Sequence, residues 1–230
     1  MNNSNDHNKM MYGEETPQTD LSKYYEFKTE IEASKWGYGI YKEWGERHKA
    51  VYSRVRQKYS YSEALEAFKV EEPLARYYGN EYERLNDYLR NGSALDEKDE
   101  AVMSMYIREI TLAIFSTPII NQDIVVFRQV PDSMIRQLVD KNKCGLPYTE
   151  KGFLSTSLVK DVCINNCGIN KNILKIYVPK GYFAIYANVI AKRNEQELLF
   201  PPVTVMDLIN YPFEYNNRII YEVMLRPNRL

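Results

Sequence analysis

Asn194-Glu195-Gln196-Glu197-Leu198-Leu199-Phe200 sets two carboxylates, two positions apart, directly ahead of an apolar run. In extended backbone the side chains alternate between faces, so Glu195 and Glu197 are expected to project together, with Gln196 opposite. A strand thus opens with a paired acidic edge. Like charges side by side repel, and a chain keeps such a pair most readily where a cation, a hydroxyl or a charge-developing substrate meets it. On spacing alone the commoner origin of the pattern is a solvated strand end, and the rest of the chain decides its meaning.

The apolar run from Glu197 to Phe200 is one of a set. Ile124 to Val130, Gly152 to Leu158, Ile173 to Val178, Tyr182 to Ile190 and Arg218 to Leu225 are also short β-branched or aromatic runs, separated by Gly, Pro and Asn. Residues 123–230 are therefore expected to be strand-rich. Residues 22–122 read as helical. Phe27, Ile31, Ala33, Trp36, Ile40 and Trp44 fall at helical spacing between Leu21 and Tyr59. Ser62 is a plausible N-cap for Glu63 to Phe68, and Pro73 suits the first turn of a helix continuing toward Tyr88 and ended by Asn91-Gly92. Asp96 or Ser93 opens a further helix with Val102, Tyr106, Ile110 and Ile114 as its buried stripe. Residues 1–21 are polar and read as a loosely attached tail. Helices followed by strands predict an α+β domain, and no linker or repeat divides residues 22–230.

With 230 residues, 44% of them hydrophobic, the chain can bury a core of its own. Thirty basic residues against 31 acidic ones leave a net charge of -1, which gives no electrostatic footprint for nucleic acid or an anionic membrane surface. No run approaches the roughly 20 apolar residues of a membrane helix, and Met1 to Asp6 is Asn-rich where an export signal would be apolar. Three cysteines (Cys144, Cys163, Cys167) and two histidines make a metal site or a disulfide framework improbable. Cys163 and Cys167 read as two ordinary thiols in a loop.

Three motifs then stand in chain order: Val126-Phe127-Arg128-Gln129, Gly152-Phe153-Leu154-Ser155-Thr156-Ser157 and Glu195-Gln196-Glu197. Arg, Ser-Thr-Ser and Glu-x-Glu in that order resemble the signature of the ADP-ribosyltransferase toxins. Glu32-Ala33-Ser34-Lys35-Trp36-Gly37, Tyr82-Glu83-Arg84-Leu85-Asn86-Asp87-Tyr88-Leu89-Arg90 and Leu174-Lys175-Ile176-Tyr177-Val178-Pro179-Lys180-Gly181 extend the resemblance to the catalytic domain of the clostridial binary actin-modifying toxins and their insecticidal relatives. It implies N-terminal helices packed on a mixed, mostly antiparallel two-sheet β core. It also implies NAD as co-substrate, no metal, and transfer of ADP-ribose to an arginine of a host protein, with NAD hydrolysis as a side activity. It further implies an enzyme secreted or delivered into the cytosol of a host cell, with a separate delivery component as a candidate partner.

The same resemblance assigns roles. Glu197 would stabilise the ribose cation formed as nicotinamide departs, and Glu195 would accept the proton of the incoming nucleophile. Ser155 would fix the Glu197 carboxylate and Arg128 would clamp phosphate. Tyr77, Tyr82 and Asn86 match an aromatic-aromatic-Asn set laid against the dinucleotide, and the backbone at Gln129 matches a nicotinamide contact. The chain departs from the pattern in two places. Lys192-Arg193 stands where actin-modifying members carry an aromatic, which counts against actin as the acceptor. Between Ser157 and Ile173 no aromatic replaces the family's nicotinamide stacker, while Lys171 is a candidate replacement for its arginine. Glu195, where another branch has glutamine, counts against the Rho-asparagine enzymes. A water acceptor would make the chain an NAD glycohydrolase, and failure to hold NAD would leave an inactive binding module on the same fold.

Overall fold

The computed structural model describes residues 20–59, 73–92, 96–166, 171–191 and 195–227. All but the last two residues of the expected tail, the Ser62 cap with its helix to Phe68, Ser93, Cys167 and Lys192-Arg193 lie outside the described residues. The first long element is α1, Glu30–Tyr59. Its inward face is Ala33, Tyr41 and Trp44, with Trp36 and Ile40 packed alongside. Ile31, expected on that stripe, is exposed, because it precedes the buried Ala33 by two positions, which on an α-helix turns it to nearly the opposite side. Phe27 is buried ahead of the helix and not on it.

The single helix expected from Pro73 toward Tyr88 is two, α2 (Pro73–Arg76) and α3 (Tyr82–Asn91), joined by a π turn over Tyr77–Glu81. Gly79 takes a non-helical ψ of -107° there, which its missing Cβ permits. Gly92 closes α3 at φ +63°, as the Asn-Gly signal implied. α4, Glu97–Phe115, starts at Asp96, whose carboxylate accepts from Asp99 N at 2.8 Å. Met103, Ile110 and Ile114 are its most deeply buried side chains, while Val102 and Tyr106 are only partly covered.

Nine strands follow among the described residues: β1 (Ile124–Val130), β2 (Tyr148–Glu150), β3 (Leu154–Ser157), β4 (Asn172–Val178), β5 (Ile185–Tyr186), β6 (Glu197–Phe200), β7 (Thr204–Leu208), β8 (Phe213–Tyr215) and β9 (Arg218–Leu225). They pair in the order β2-β7-β9-β4-β1-β3-β6-β5, with β8 on β9, and every pairing is antiparallel except β4 with β9. β1 runs the full length of β4 but meets β3 at one register pair, Phe127↔Ser157. That single pair is a narrow seam, but β1 and β3 still share a rung across it, so the two-sheet core that the resemblance implied is corrected to one continuous mixed sheet.

The strand-rich half also carries two helices that the alternation of apolar residues hides. α5, Asp132–Lys143, turns Met134, Ile135 and Leu138 inward against β2 and β7, and α6, Lys160–Asn166, packs on β1 and β3. The run from Tyr182 to Ile190 is strand only at Ile185–Tyr186 and then coils into a 3-10 turn over Ala187–Val189. α1 presses there closely enough that a Cβ on Gly45 would lie 2.8 Å from Val189 Cβ, so the segment is covered on a face a regular strand would leave open. No described helix is long and apolar enough to cross a membrane.

Candidate active site

Beyond the seam β1 and β3 part, and a cavity of about 220 Å³ opens where they do. Tyr77, Tyr82, Asn86, Arg128, Gln129, Ser155, Glu195 and Glu197 all line it. These eight come from four separate segments of the chain. Phe127, Thr156, Ser157, Val162 and Cys163 complete the wall.

Glu197 is the first residue of β6, opposite Ser157 in register, and is 3% exposed. Ser155 Oγ donates to its Oε1 at 2.6 Å, a charge-assisted bond of the short, strong kind. β3 thus delivers Ser155 to the cavity two residues along from the register pair, on the same face. Arg128 follows Phe127 on β1 and donates from a guanidinium nitrogen to the Ser155 carbonyl across the gap, at 3.2 Å. The guanidinium and the carboxylate are therefore bound to one residue, Ser155, through its main chain and its side chain.

Glu195 does not lie in a strand. It sits in a turn, and Gln196 has φ +48°, so strict alternation does not hold at this point. The expected outcome survives by another route: the turn brings both carboxylates to the cavity and sends the Gln196 side chain away from it, to 4% exposure. Ser157 Oγ donates to the Glu195 carbonyl at 3.0 Å, and Leu158 N to the Gln196 carbonyl at 3.0 Å. The third hydroxyl of the Ser-Thr-Ser run thereby holds the acidic turn, a role the sequence did not single out.

The opposite wall depends on the π turn. Tyr77 and Tyr82 are five positions apart, about 140° on a regular α-helix at 3.6 residues per turn. The kink at Gly79, where the backbone leaves helical geometry, redirects the chain between them, and their rings meet edge to face with centroids 6.5 Å apart. Asn86 Nδ2 donates to Tyr77 Oη at 3.2 Å, and Asn86 Oδ1 accepts from Phe153 N at 2.7 Å. Burial pushes the Tyr77 phenol up from its ordinary pKa, and the Glu197 charge adds to this, so it stays protonated and neutral.

Behind Asn86 lies a pair that no spacing in the sequence announces. Glu150, 1% exposed, accepts from Arg90 Nε at 2.9 Å and from Gly152 N at 2.8 Å. A buried carboxylate needs such partners, and here they also fix the approach of β3 to α3. The same burial, with the Glu150 charge, pushes the Tyr148 phenol up to about 12. A Cβ on Gly152 would stand 2.7 Å from Asn86 Oδ1 and 3.2 Å from Arg90 Nε. Gly152→Ala is accordingly expected to destabilise the protein by about 1–3 kcal/mol, read as a lower denaturant midpoint. Gly39→Ala, with open space around its Cβ, should leave stability equal or higher.

Gln129 enters the cavity on β1, and its side-chain amide donates to the carbonyls of Cys163 and Ile164 at 3.2 and 3.4 Å, tying α6 to β1. Cys163 is buried in α6 and not in a loop, contrary to the sequence reading, because Val162 and Cys163 turn inward onto the sheet. Lys171 is exposed at the entry to β4 and is not among the lining residues. The arrangement as a whole offers a cationic clamp, two carboxylates, an aromatic wall and a fixed hydroxyl around one cavity. Such a set suits a substrate that carries negative charge at one end and develops positive charge at the other.

The sequence model of one family, described as ADP-ribosyltransferase exoenzyme, matches residues 33–220. No curated protein matches the sequence. Among solved structures, the fold is similar to that of BECa, the ADP-ribosylating toxin of a binary enterotoxin of C. perfringens, solved with NADH, at TM-score 0.65 and 21% identity over 89% of this chain. This chain spans 50% of BECa. It is also similar to Plx2a, an ADP-ribosyltransferase toxin from Paenibacillus larvae, at TM-score 0.60 and 20% identity over 86% of this chain and 96% of that one. An ADP-ribosyltransferase of Clostridium botulinum aligns at TM-score 0.55 and 21% identity, over 88% of this chain and 98% of that one.

Proposed function

The chain belongs to the ADP-ribosyltransferase exoenzyme family, and from that membership we propose that it cleaves NAD between nicotinamide and ribose and transfers the ADP-ribose to an arginine of a host protein. The observation that carries this reading is the Ser155 Oγ to Glu197 Oε1 bond at 2.6 Å, on the wall of a cavity shared with Arg128 and Glu195. A buried carboxylate held in one orientation is aimed before the reaction begins.

As the C–N glycosidic bond lengthens, its electron pair leaves with nicotinamide, which departs neutral, and positive charge spreads over the ribose C1 and ring oxygen. Glu197 faces that charge. Its attraction is stronger for the cation than for the ground-state sugar, which is the condition for a rate effect. Arg128 holds phosphate, with charge-assisted hydrogen bonds that place the ribose over Glu197. Tyr77, Tyr82 and Asn86 pack against the dinucleotide from α3. The Gln129 main chain meets the nicotinamide amide. An arginine nitrogen of the acceptor then attacks C1, and Glu195 takes the proton that this nitrogen loses. Glutamate at this position, as a carboxylate base, favours arginine over asparagine as acceptor. When no acceptor is bound, water attacks instead and NAD is hydrolysed.

The test is incubation with NAD labelled in the ADP-ribose part, with and without host-cell lysate, following free nicotinamide and labelled protein together. Label on protein that neutral hydroxylamine releases slowly, as it does an arginine linkage, supports the proposal, and label that withstands it would overturn arginine as the acceptor. Nicotinamide release without labelled protein would make the chain a glycohydrolase. Neither product would make it a binding module.

A further inference from the structure

Gln196 stands between the two acids in the left-handed region, at φ +48°, where a residue with a side chain is held only by its surroundings. Those surroundings are specific. Its Oε1 accepts from Tyr186 Oη at 2.6 Å and from Ser34 Oγ at 3.1 Å. Asn188 Nδ2 in turn donates to Tyr186 Oη at 3.1 Å. Ser34 is on α1, Tyr186 is on β5, and neither lines the cavity. The Tyr186 ring lies directly on α1 at Gly37, where a Cβ would come within 2.5 Å of its Cδ1.

The two acids are not held alike. Glu197 belongs to β6, is paired with Ser157 and is bonded to Ser155. Glu195 lies before the left-handed residue, in the turn, so its direction depends on how Gln196 is rotated about its own backbone. The Ser157 and Leu158 bonds fix the main-chain oxygens of the turn, and the Gln196 side chain adds a constraint from α1 and β5.

We propose that Gln196 is a positioning residue: through Tyr186 and Ser34 it ties the acidic turn to α1 and so sets where Glu195 stands relative to the acceptor nitrogen. The inference rests on the reading of Glu195 as the acceptor's base. It assigns Ser34 and Tyr186, both outside the cavity, to transfer more than to NAD cleavage. A misplacement of about 1 Å at a reacting group lowers a rate by up to about a hundredfold. A loosened anchor therefore acts on the transfer rate while leaving Glu197, Ser155 and Arg128 in place.

The experiment compares Gln196→Met, which keeps the length but loses the acceptor, with Gln196→Glu, which keeps an oxygen for both hydroxyls. The pair Tyr186→Phe and Ser34→Ala, singly and together, removes the donors without touching the turn. For each, the ratio of protein labelling to nicotinamide release in the absence of acceptor is measured, along with KM for NAD and the melting temperature. The ratio should fall about tenfold or more in Gln196→Met and in the Tyr186→Phe/Ser34→Ala double variant, with KM for NAD unchanged. Gln196→Glu should recover it. A wild-type ratio in both Gln196→Met and the double variant would overturn the proposal, as would Gln196→Glu failing in the same way as Gln196→Met. So would a fall in both activities that merely follows the loss of melting temperature. If wild-type protein neither labels acceptor nor releases nicotinamide, the parent reading fails together with this one. Activity in wild type with an unchanged ratio in the variants overturns this one alone.

Discussion

Glu197→Gln is expected to remove NAD cleavage and ADP-ribose transfer together, each by about 10²–10³-fold, the scale of losing one preorganised electrostatic group aimed at a developing charge. The substitution is nearly isosteric. An amide oxygen can still accept from Ser155 Oγ, so the 2.6 Å contact has a successor and the local structure stands. What disappears is the negative charge facing the ribose. Since a carboxylate 3% exposed carries a desolvation penalty, the variant should melt at the same temperature as wild type or higher. Single-turnover nicotinamide release and calorimetry on the same preparations check both halves of this expectation. Retention of NAD cleavage within a few-fold of wild type would remove Glu197 from the mechanism.

Glu195→Gln should separate the two activities. Transfer to arginine is expected to fall by about 10²–10⁴-fold, the usual contribution of a general base. NAD hydrolysis should stay near wild type, because the cation forms over Glu197 and water needs no base to capture it. The measurement is labelled-protein yield against acceptor-free nicotinamide release. Equal losses in the two assays would contradict the division of labour between the acids.

Most of the cavity residues are legible because their motifs carry a position in a regular element with them, Glu195 and Tyr77 being the exceptions. Phe127-Arg128-Gln129 lies on β1 and Ser155-Thr156-Ser157 on β3 as their composition indicates, and Tyr82 and Asn86 share a helix face at i, i+4. What escaped were irregularities. The π turn at Gly79 breaks a pattern that reads as one continuous helix, and the left-handed Gln196 breaks one that reads as a continuous strand. α5 and α6 were hidden inside a half dominated by β-branched runs, although Met134, Ile135 and Leu138 stand at helical spacing. The Arg90 to Glu150 pair joins residues 60 apart, and only the folded chain shows it. Contacts fixed by tertiary structure leave no local signal, whereas those fixed by an element's period do.

The single register pair between β1 and β3 has a geometric corollary. Neighbouring strands rotate by roughly 20–25° relative to one another, so two strands that stop pairing diverge like the blades of opened scissors. Arg128 and Gln129 stand in the wedge they leave. A groove made this way removes no side chain from the interior; it is the space that twist creates once the ladder ends. The end of that ladder thus marks where the cavity begins.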